Sequence, residues 1–390
     1  MGWHLFNIPA NYALSLTFSV DFQSDNDQVY IYDNTGAGMY IIHTGNITNV
    51  ELYVSPTIAR VNVVGVSGKS SFMLTYLYKS LEAYKQTIKK TGEYFPLSLV
   101  TGISYYTITS DNPNEKVVLS YAMRVGVNED KLLAYYYVYD GDNINNATMI
   151  GNLDTIGGKI TVSSGRSVTI VNFYGGTKSN SYALGNDAST VQGYDKYTVL
   201  MTSKGTTASG NMTSLATNGG LYTFICVDCS TFYYTQLRFD SMTPVSNRAY
   251  VTFQGMTPTH KKEKLIKYDM MTVTDKYFPQ MMPSNIITLN VYLARVGFMF
   301  NNVNDDTQWK KAYDGRKGMI FSPNLWMSTP NSFSYEIRDD SQMYNFAVTI
   351  NKMSFPASSD KMTLIIGPTT GNPTLNNMYP RDQSSTGKVS

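Results

Sequence analysis

Residues 132–176 read LLAYYYVYDGDNINNATMIGNLDTIGGKITVSSGRSVTIVNFYGG, and this stretch decides the fold class. It opens with aromatic and β-branched residues that lead into Tyr139-Asp140-Gly141, and it closes with the alternating residues 167–173. Residues of this kind favour strands, and Asp-Gly favours a tight turn between them. The pattern predicts a strand, a turn and a further strand at the centre of one β-sandwich module.

The composition also favours β-sheets with polar but uncharged faces. Only 15% of the 390 residues are charged, below the roughly 25% usual in soluble domains, while tyrosine alone numbers 31. The formal net charge of +2 gives no general field for nucleic acid or an anionic membrane. No apolar run of about 18 residues occurs, so no membrane span is predicted. The start MGWHLFNIPANY lacks the zones of a secretion signal, so the chain is either cytosolic or has lost its signal.

Strand-like and turn-like segments divide the chain into modules. Leu14, Leu16 and Phe18 alternate with polar residues, which is typical of a strand with one buried face. The predicted units are a β-sandwich at 1–80, a helical or charged connector at 81–92, a second sandwich at 93–180, a small β module at 195–258, a third sandwich at 280–355, and a C-terminal segment with a mobile tail at 356–390. A boundary loop is expected at 177–194 and a Ser/Thr/Gly-rich insert at 202–220.

The last predicted sandwich echoes the first. Ile287, Leu289 and later residues alternate as the first strand does, and a Tyr-Asp pair ends a predicted strand at Asp33, Asp140 and Asp314. Tyr-rich chains form such pairs by chance, so this is weak internal repetition.

The two cysteines, Cys226 and Cys229, lie three residues apart. The functional interpretation of this spacing is a redox motif or half of a zinc site. A structural zinc ion needs four ligands, however, and no second cysteine pair is present. The favoured prediction is a pair of thiols or a local disulfide. A disulfide requires a turn at Val227-Asp228, because residues three apart on a strand are about 10 Å from each other.

Three motifs resemble the nematode CUB-like domain proteins: YDGDNIN at 139–145, IGNL at 150–153 and SSGRSVTIVNF at 163–173. The resemblance extends to residues 8–80 and more faintly to 195–355. It implies an all-β chain of tandem CUB-like, jelly-roll β-sandwiches that is secreted and associated with innate immune responses to bacteria, without a defined biochemical role. Family members usually carry a secretion signal and more cysteines than this chain has.

Calcium is the one cofactor that the resemblance suggests, since many CUB domains bind it at one end of the sandwich. Asp140 and Asp142 are the candidates, because carboxylates are hard oxygen ligands. The late strand at 170–175 offers no further Asp, so the favoured role of Asp140 is to accept backbone hydrogen bonds in its turn. The same prediction applies to Asp25, Asp27, Asp33, Asp305, Asp306 and Asp314.

Two segments invite comparison with anion sites. Residues 65–70 (GVSGKS) are similar to a phosphate loop, but Val63 stands where its first glycine belongs, so a hairpin turn is predicted. A basic cluster could receive an acidic glycan or a phosphate, although a solvated connector is the favoured alternative. It consists of His260, Lys261, Lys262 and Lys264.

Asn46, Asn146 and Asn211 begin glycosylation sequons, and all three fall in predicted loops, where a glycan is tolerated. They suit a secreted or endolysosomal glycoprotein. The three histidines stand in neither a G-x-S-x-G nor an HExxH setting, so no catalytic residue is predicted.

The sequence therefore predicts a secreted, non-enzymatic recognition or innate-immune defence protein that binds a glycan or an extracellular protein, with homo-oligomers as a further option. An open alternative is a structural protein that assembles into filaments or a matrix through β-edges and Tyr-rich faces. A third is an enzyme with a carboxylate pair that folding brings together.

Overall fold

The computed structural model consists almost entirely of β-strands, which form three successive sandwiches and two small C-terminal sheets. This confirms the predicted all-β class with tandem sandwich modules. The structure describes residues 2–389 except 35, 37, 43–44, 55–56, 128, 157–159, 241–247, 303–304, 323–324, 327–331, 351–352, 354, 356, 358, 369 and 381–386. Short helices lie at Leu97–Leu99, Lys131–Tyr135, Leu153–Ile156, Ala188–Thr190 and Asp275–Tyr277.

The first sandwich contains the first strands of the chain. They are β1 (Gly2–Asn7), β2 (Tyr12–Asp21), β3 (Gln28–Tyr32), β4 (Gly38–Ile42), β5 (Asn46–Val54), β6 (Ile58–Val64) and β7 (Ser71–Ser80). One sheet has the order β1-β6-β3-β4 and the other β5-β2-β7. Leu14, Leu16 and Phe18 of β2 are fully buried between the sheets, beside Val29 and Val61. The alternating pattern of β2 thus marks the core of this sandwich.

The second sandwich follows directly. Its strands are β8 (Lys85–Lys90), β9 (Tyr94–Pro96), β10 (Ser104–Thr109), β11 (Val117–Arg124), β12 (Tyr136–Asp140), β13 (Thr148–Asn152), β14 (Ser167–Asn172) and β15 (Tyr182–Asp187). A five-stranded sheet, β13-β12-β14-β10-β8, packs on β9, β11 and β15. Val138 and Ile170 point into this core, whereas Tyr137, Tyr139 and Val171 point towards the first sandwich. The stretch that decides the fold is therefore buried on both of its faces.

The segment expected to be a helical or charged connector, residues 81–92, contains strand β8 instead. β8 pairs in parallel with β10, from Lys85 opposite Ser104 to Lys90 opposite Thr109. It is the last strand of its sheet, where charged side chains remain in water and discourage further pairing. The charges that suggested a connector are those of an edge strand.

The third sandwich shares a sheet with the second. Its strands are β16 (Lys196–Ser203), β17 (Thr207–Ser214), β18 (Gly220–Val227), β19 (Phe232–Phe239), β20 (Tyr250–Gly255), β21 (Lys264–Asp269), β22 (Gln280–Met282), β23 (Ile286–Tyr292) and β24 (Ala294–Asn301). An eight-stranded sheet has the order β21-β20-β23-β18-β16-β11-β15-β9, and a second sheet the order β17-β24-β19-β22. The expected boundary loop at 177–194 thus includes β15, a strand of the shared sheet.

The modules predicted separately at 195–258 and 280–355 form one sandwich in the structure. β23 lies between β18 and β20, and β24 lies between β17 and β19. Phe224, Val251, Leu289 and Phe298 share the same core. Alternation identified β23 as a strand, but it does not tell which sheet a strand joins. The segment expected to be an insert, 202–220, contains strand β17, which pairs with β24.

The C-terminal region forms two small sheets. Its strands are β25 (Val348–Ile350), β26 (Lys361–Ile366), β27 (Leu375–Pro380) and β28 (Gly387–Val389). β26 pairs with β27 and β25 with β28, so part of the expected tail at 356–390 is paired. Between β24 and β25 the described residues form no strand, and Trp309 packs there against Tyr233 and Met281. Of the predicted third sandwich at 280–355, only the first three strands, β22, β23 and β24, belong to a sandwich among the described residues.

Candidate ligand-binding face

The two calcium candidates lie at the end of β12. Both carboxylate oxygens of Asp140 accept the backbone N–H of Ser164, at 2.9 and 3.0 Å, and the carboxylate of Asp142 accepts the side-chain amide of Asn143. Calcium takes about six to eight oxygen ligands. Among the described residues, no group of three or more Asp, Glu, His and Cys side chains is placed to hold a metal ion. Asp140 thus links its turn to the segment before β14, and calcium binding at Asp140 and Asp142 stays a prediction.

The Tyr-Asp residues of the predicted repeat occupy different environments. Asp33 is 3% exposed, whereas the side chain of Asp314 is 94% exposed and lies 3.5 Å from the Nζ atom of Lys276. Asp140 is half-buried. The shared dipeptide therefore does not correspond to a shared structural role.

The loop at 65–70 that is similar to a phosphate loop receives a carboxylate of the protein itself. Asp27 is fully buried and accepts the N–H groups of Val66 at 2.5 Å and Ser67 at 3.0 Å, together with the hydroxyls of Ser67 and Ser70. These hydroxyl hydrogen bonds hold the pKa of the Asp27 carboxyl well below its usual range. The anion-binding groups of this loop are therefore already occupied by an internal partner.

The basic cluster lies in the turn between β20 and β21, except for Lys264, which is the first residue of β21. The imidazole of His260 packs on Gly92, so closely that a Cβ added to that glycine would lie 2.7 Å from the ring. Thr257 donates to the carbonyl of Gly92, and Thr259 accepts the N–H of Asp187. The cluster's lysines, Lys261, Lys262 and Lys264, are exposed. The turn is thus fixed to the second sandwich with its lysines in solvent, and an anionic ligand for them stays a prediction.

Cys226 and Cys229 form a disulfide, with Cα atoms 5.4 Å apart. Between them, Asp228 adopts a positive φ of 62°, which supplies the turn that a bridge over three residues requires. Because the chain has only these two cysteines, neither remains as a thiolate ligand for zinc.

The three sequons lie in different kinds of structure. Asn146 lies in the turn between β12 and β13, Asn46 begins β5, and Asn211 lies inside β17. The expectation that all three fall in loops is therefore wrong for Asn46, the first residue of a strand, and for Asn211, which lies inside one. Each of the three side chains is nevertheless exposed, so a glycan would extend into solvent.

An exposed aromatic surface covers the outside of the sheet β1-β6-β3-β4. We call it the aromatic face and define it as Trp3, Leu5, Tyr30, Tyr32 and Ile41. Strand register places Trp3, Tyr30 and Ile41 in one row across the sheet, and Leu5 and Tyr32 in the next. Trp3 and Leu5 are each 61% exposed, and Ile41 is 55% exposed. Contiguous apolar side chains of this kind commonly mark a binding surface.

The rings of the aromatic face form a nearly continuous layer. The ring centroids of Trp3 and Tyr32 are 5.8 Å apart, and those of Tyr30 and Tyr32 are 6.1 Å apart with planes inclined by 20°. β6 lies between β1 and β3 in the same sheet, with Asn62 opposite Trp3 and Arg60 opposite Leu5. The face therefore combines flat rings with one amide and one guanidinium group, and both groups can donate hydrogen bonds.

The sequence prediction missed this face because it placed the first strand after residue 8, so β1 was not expected. A usable signal was present in β3. Val29 and Ile31 are buried, and alternation along a strand therefore turns Tyr30 and Tyr32 outwards. What alternation could not show is that no other module covers the outer surface of this sheet in the described part of the chain.

The second sandwich covers part of the outer surface of the other sheet, β5-β2-β7, around Ala13 and Tyr53. We call this contact the aromatic joint and define it as Tyr53, Tyr84, Tyr137, Phe173 and Tyr174. Tyr53 stacks on Phe173 with ring centroids 4.8 Å apart. The hydroxyl of Tyr137 accepts the backbone N–H of Tyr53 at 3.1 Å and lies 3.0 Å from the hydroxyl of Tyr174. The first two sandwiches are thus held by stacking and by buried hydrogen bonds.

Burial also determines the electrostatics of the joint. It raises the pKa of Tyr84 to about 12 and that of Tyr137 well above its ordinary value. Lys79 lies at the rim, where its Nζ atom donates to the carbonyl of Phe173 at 2.6 Å, and burial lowers its pKa. Burial in the joint therefore favours the neutral form of its tyrosine hydroxyls.

Comparison with known proteins gives a family match for the first sandwich. Residues 3–82 match a family described as CUB-like domain. The matched segment includes the aromatic face, but it does not include residues 132–176, whose motifs suggested the resemblance. A search of curated proteins gave no match.

Two solved structures are similar to parts of the chain. The CUB1-EGF-CUB2 domain of human MASP-1/3 is 11% identical, with 53% of this chain and 93% of that chain covered and a TM-score of 0.18. The CUB1-EGF-CUB2 domains of rat MASP-1 are also 11% identical, with 55% and 99% covered and a TM-score of 0.17. TM-scores this low do not allow an arrangement or a function to be transferred.

Within the described residues, no helix is long and apolar enough to cross a membrane. Over residues 3–82, the first sandwich, which carries the aromatic face, is similar to the CUB-like domain family.

Proposed function

We propose that this protein is a non-enzymatic recognition protein of the extracellular space that binds a saccharide chain through the aromatic face of its CUB-like domain. The observation that carries this proposal is the layer formed by Trp3, Tyr32 and Tyr30 on an exposed sheet. Aromatic rings have a negative face, which attracts the partly positive C–H groups on the apolar side of a sugar ring. Asn62 and Arg60 lie in the same rows and can donate hydrogen bonds to hydroxyl groups.

The shape of the face favours a saccharide over a protein ligand. Protein interfaces concentrate their binding energy where a large side chain fills a well-packed pocket. The rings of Trp3, Tyr30 and Tyr32 instead lie side by side about one ring apart, at 5.8 and 6.1 Å. Consecutive sugars of an extended chain can therefore each cover a different ring.

The disulfide and the exposed sequons support an extracellular or endolysosomal location. Disulfides persist in oxidising compartments, and Cys226 and Cys229 are bridged. A polysaccharide of the bacterial surface as ligand would give the protein a role in innate defence, in line with the resemblance to nematode CUB-like domain proteins. Mass spectrometry of the secreted protein tests the location, since glycans on Asn46, Asn146 or Asn211 require passage through the secretory pathway.

Tryptophan fluorescence tests the binding proposal directly. Trp3 is 61% exposed, whereas Trp309 is 1% exposed and Trp326 is half-buried. A saccharide that covers Trp3 should therefore shift the emission of the exposed population. We expect titration with peptidoglycan fragments, chitin oligosaccharides or bacterial polysaccharides to produce this shift. Trp3→Ala should weaken binding roughly thirtyfold, because truncation of an interface anchor costs about 2 kcal/mol.

Tyr250→Ala provides the matched control. Tyr250 also belongs to a surface aromatic pair, stacked on Tyr292 with centroids 4.8 Å apart, but it lies in the third sandwich. Its replacement should leave saccharide affinity unchanged. A wild-type protein that shows neither a fluorescence change nor a signal on a broad glycan array would contradict the proposal. Binding of an extracellular protein at Trp3 without saccharide binding would instead favour a protein ligand.

A further inference from the structure

β7 is a ten-residue strand that is paired along one edge only. It pairs with β2 from Ser80 opposite Tyr12 to Ser71 opposite Asp21 without a shift in register. No strand among the described residues pairs with its other edge. The free N–H and C=O groups along such an edge form a template for another strand.

β7 lacks the features that usually prevent edge pairing. It contains no proline and no bulge, and its single charge, Lys79, lies near its end. Its large side chains are exposed: Phe72 43%, Met73 59%, Tyr76 60% and Leu77 65%. A long, regular and apolar edge of this kind is expected to find a partner strand.

The sequence of β7 complements itself. In an antiparallel pair, residues directly opposite each other lie on the same face of the sheet. If two copies meet with Thr75 opposite Thr75, the large apolar residues face one another. The pairs between copies are Phe72 with Tyr78, Leu74 with Tyr76, and Met73 with Leu77, and Lys79 faces Ser71.

The lack of charge along β7 also favours a second copy of β7 as its partner. The segment from Ser71 to Tyr78 carries no charge, so a charged partner strand would gain nothing from it. In the antiparallel arrangement the two Lys79 side chains lie at opposite ends of the strand pair, and no like charges meet.

We propose that β7 pairs antiparallel with β7 of a second copy of this chain, centred on Thr75, so that the two sheets β5-β2-β7 join into one continuous sheet. This interface is separate from the aromatic face and does not depend on saccharide binding. It predicts a closed two-fold dimer, since the same edge is used by both copies.

Cysteine cross-linking tests the centre of the pair. Both native cysteines are bridged, so Thr75→Cys introduces the only free thiol. Opposed strand residues have Cα atoms about 4.5–5.5 Å apart, within reach of a disulfide. Mild oxidation of the full-length variant should give a covalent dimer on a non-reducing gel. Met271→Cys, at a site 72% exposed in the third sandwich, should stay monomeric under the same conditions.

Charge substitutions test the register. Met73 and Leu77 are exposed, so replacing them leaves the core intact. In the proposed register Met73 of each copy faces Leu77 of the other, which gives two such pairs in the dimer. The variant M73K/L77K therefore opposes like charges and should raise the dimer dissociation constant at least about tenfold, whereas M73E/L77K opposes unlike charges and should restore most of the affinity. Sedimentation equilibrium measures both, and circular dichroism verifies the fold.

Three results would overturn the proposal. One is a wild-type chain that stays monomeric at the highest concentration reached by sedimentation. Another is a Thr75→Cys variant that cross-links no better than Met271→Cys. The third is equal dissociation constants for M73K/L77K and M73E/L77K, which would show that these positions do not face each other.

Discussion

The aromatic joint and the aromatic face both contain tyrosine and lie on opposite sides of one sandwich. Tyr53 and Tyr137 in the joint are 4% and 1% exposed, whereas Trp3 in the face is 61% exposed. The joint hydroxyls form hydrogen bonds between sandwiches, while the face consists of an exposed Trp3 ring beside the half-buried rings of Tyr30 and Tyr32. Tyrosine content therefore does not determine the role of a sheet surface. The decisive factor is whether another sheet covers it.

The largest difference between the two surfaces should appear when an aromatic ring is removed. Phe173 is 1% exposed and packs on Tyr53, Tyr84 and Tyr137. Phe173→Ala should lower the free energy of unfolding by about 3–5 kcal/mol, since it leaves a cavity between the two sandwiches. Tyr32→Ala in the aromatic face should cost less than about 1 kcal/mol. Urea denaturation followed by circular dichroism compares them, and similar losses would mean that the face is also a structural core.

Removal of single hydroxyls should give the next largest contrast. Tyr137→Phe deletes the acceptor of the Tyr53 N–H and the partner of Tyr174, so it should cost about 1–3 kcal/mol of unfolding free energy. Tyr234→Phe is the matched control, because the Tyr234 hydroxyl is buried without a hydrogen-bond partner among the described residues. That control should be neutral or stabilising in the same denaturation experiment. A larger loss for Tyr234→Phe would show that burial alone, and not the hydrogen bonds of the joint, sets the effect.

Much of the strand pattern could be predicted from the sequence, because local alternation reports which side of a strand is buried. Leu14 to Phe18 and Ile287 to Val291 were recognised as strands on this basis. The pairing of β23 between β18 and β20, and of β8 beside β10, could not be predicted, because contacts between distant segments leave no local periodicity.

The candidate site was less accessible to sequence reasoning than the fold. The motifs at 139–173 identify a strand and a turn whose tyrosines are buried beside the first sandwich. Asp140 accepts the backbone N–H of Ser164 and so stabilises that turn. The exposed residues Trp3 and Ile41 lie in β1 and β4, which show no clear alternation of their own. Their common row exists only because β6 and β3 bring these two strands into one sheet.

Alkaline pH should separate the two surfaces through the ionisation of tyrosine. Burial raises the pKa of Tyr84 to about 12 in the folded protein, above the ordinary value of about 10. The unfolded chain therefore loses this proton first, so the stabilising contribution is present below pH 10 and is lost as the pH rises from about 10 towards 12.

Denaturation at pH 8 to 11 measures this loss. Tyr84→Phe should flatten the decline and leave stability at neutral pH nearly unchanged, because the Tyr84 hydroxyl is buried without a hydrogen-bond partner among the described residues. An unchanged slope in Tyr84→Phe would exclude this residue as the source of the pH dependence.

The smallest effect on stability should come from Trp3→Ala, in spite of the size of the side chain. At 61% exposure with one ring contact, to Tyr32 at 5.8 Å, the indole contributes little to the core. Its removal should change the free energy of unfolding by no more than about 0.5 kcal/mol, as is usual for surface substitutions. The same variant should lose saccharide binding, and this separation of stability from binding distinguishes a recognition surface from a joint. If Trp3→Ala instead lost more than about 1 kcal/mol, Trp3 would act mainly to hold β1 against β6, and the aromatic face would have to be interpreted as a structural surface.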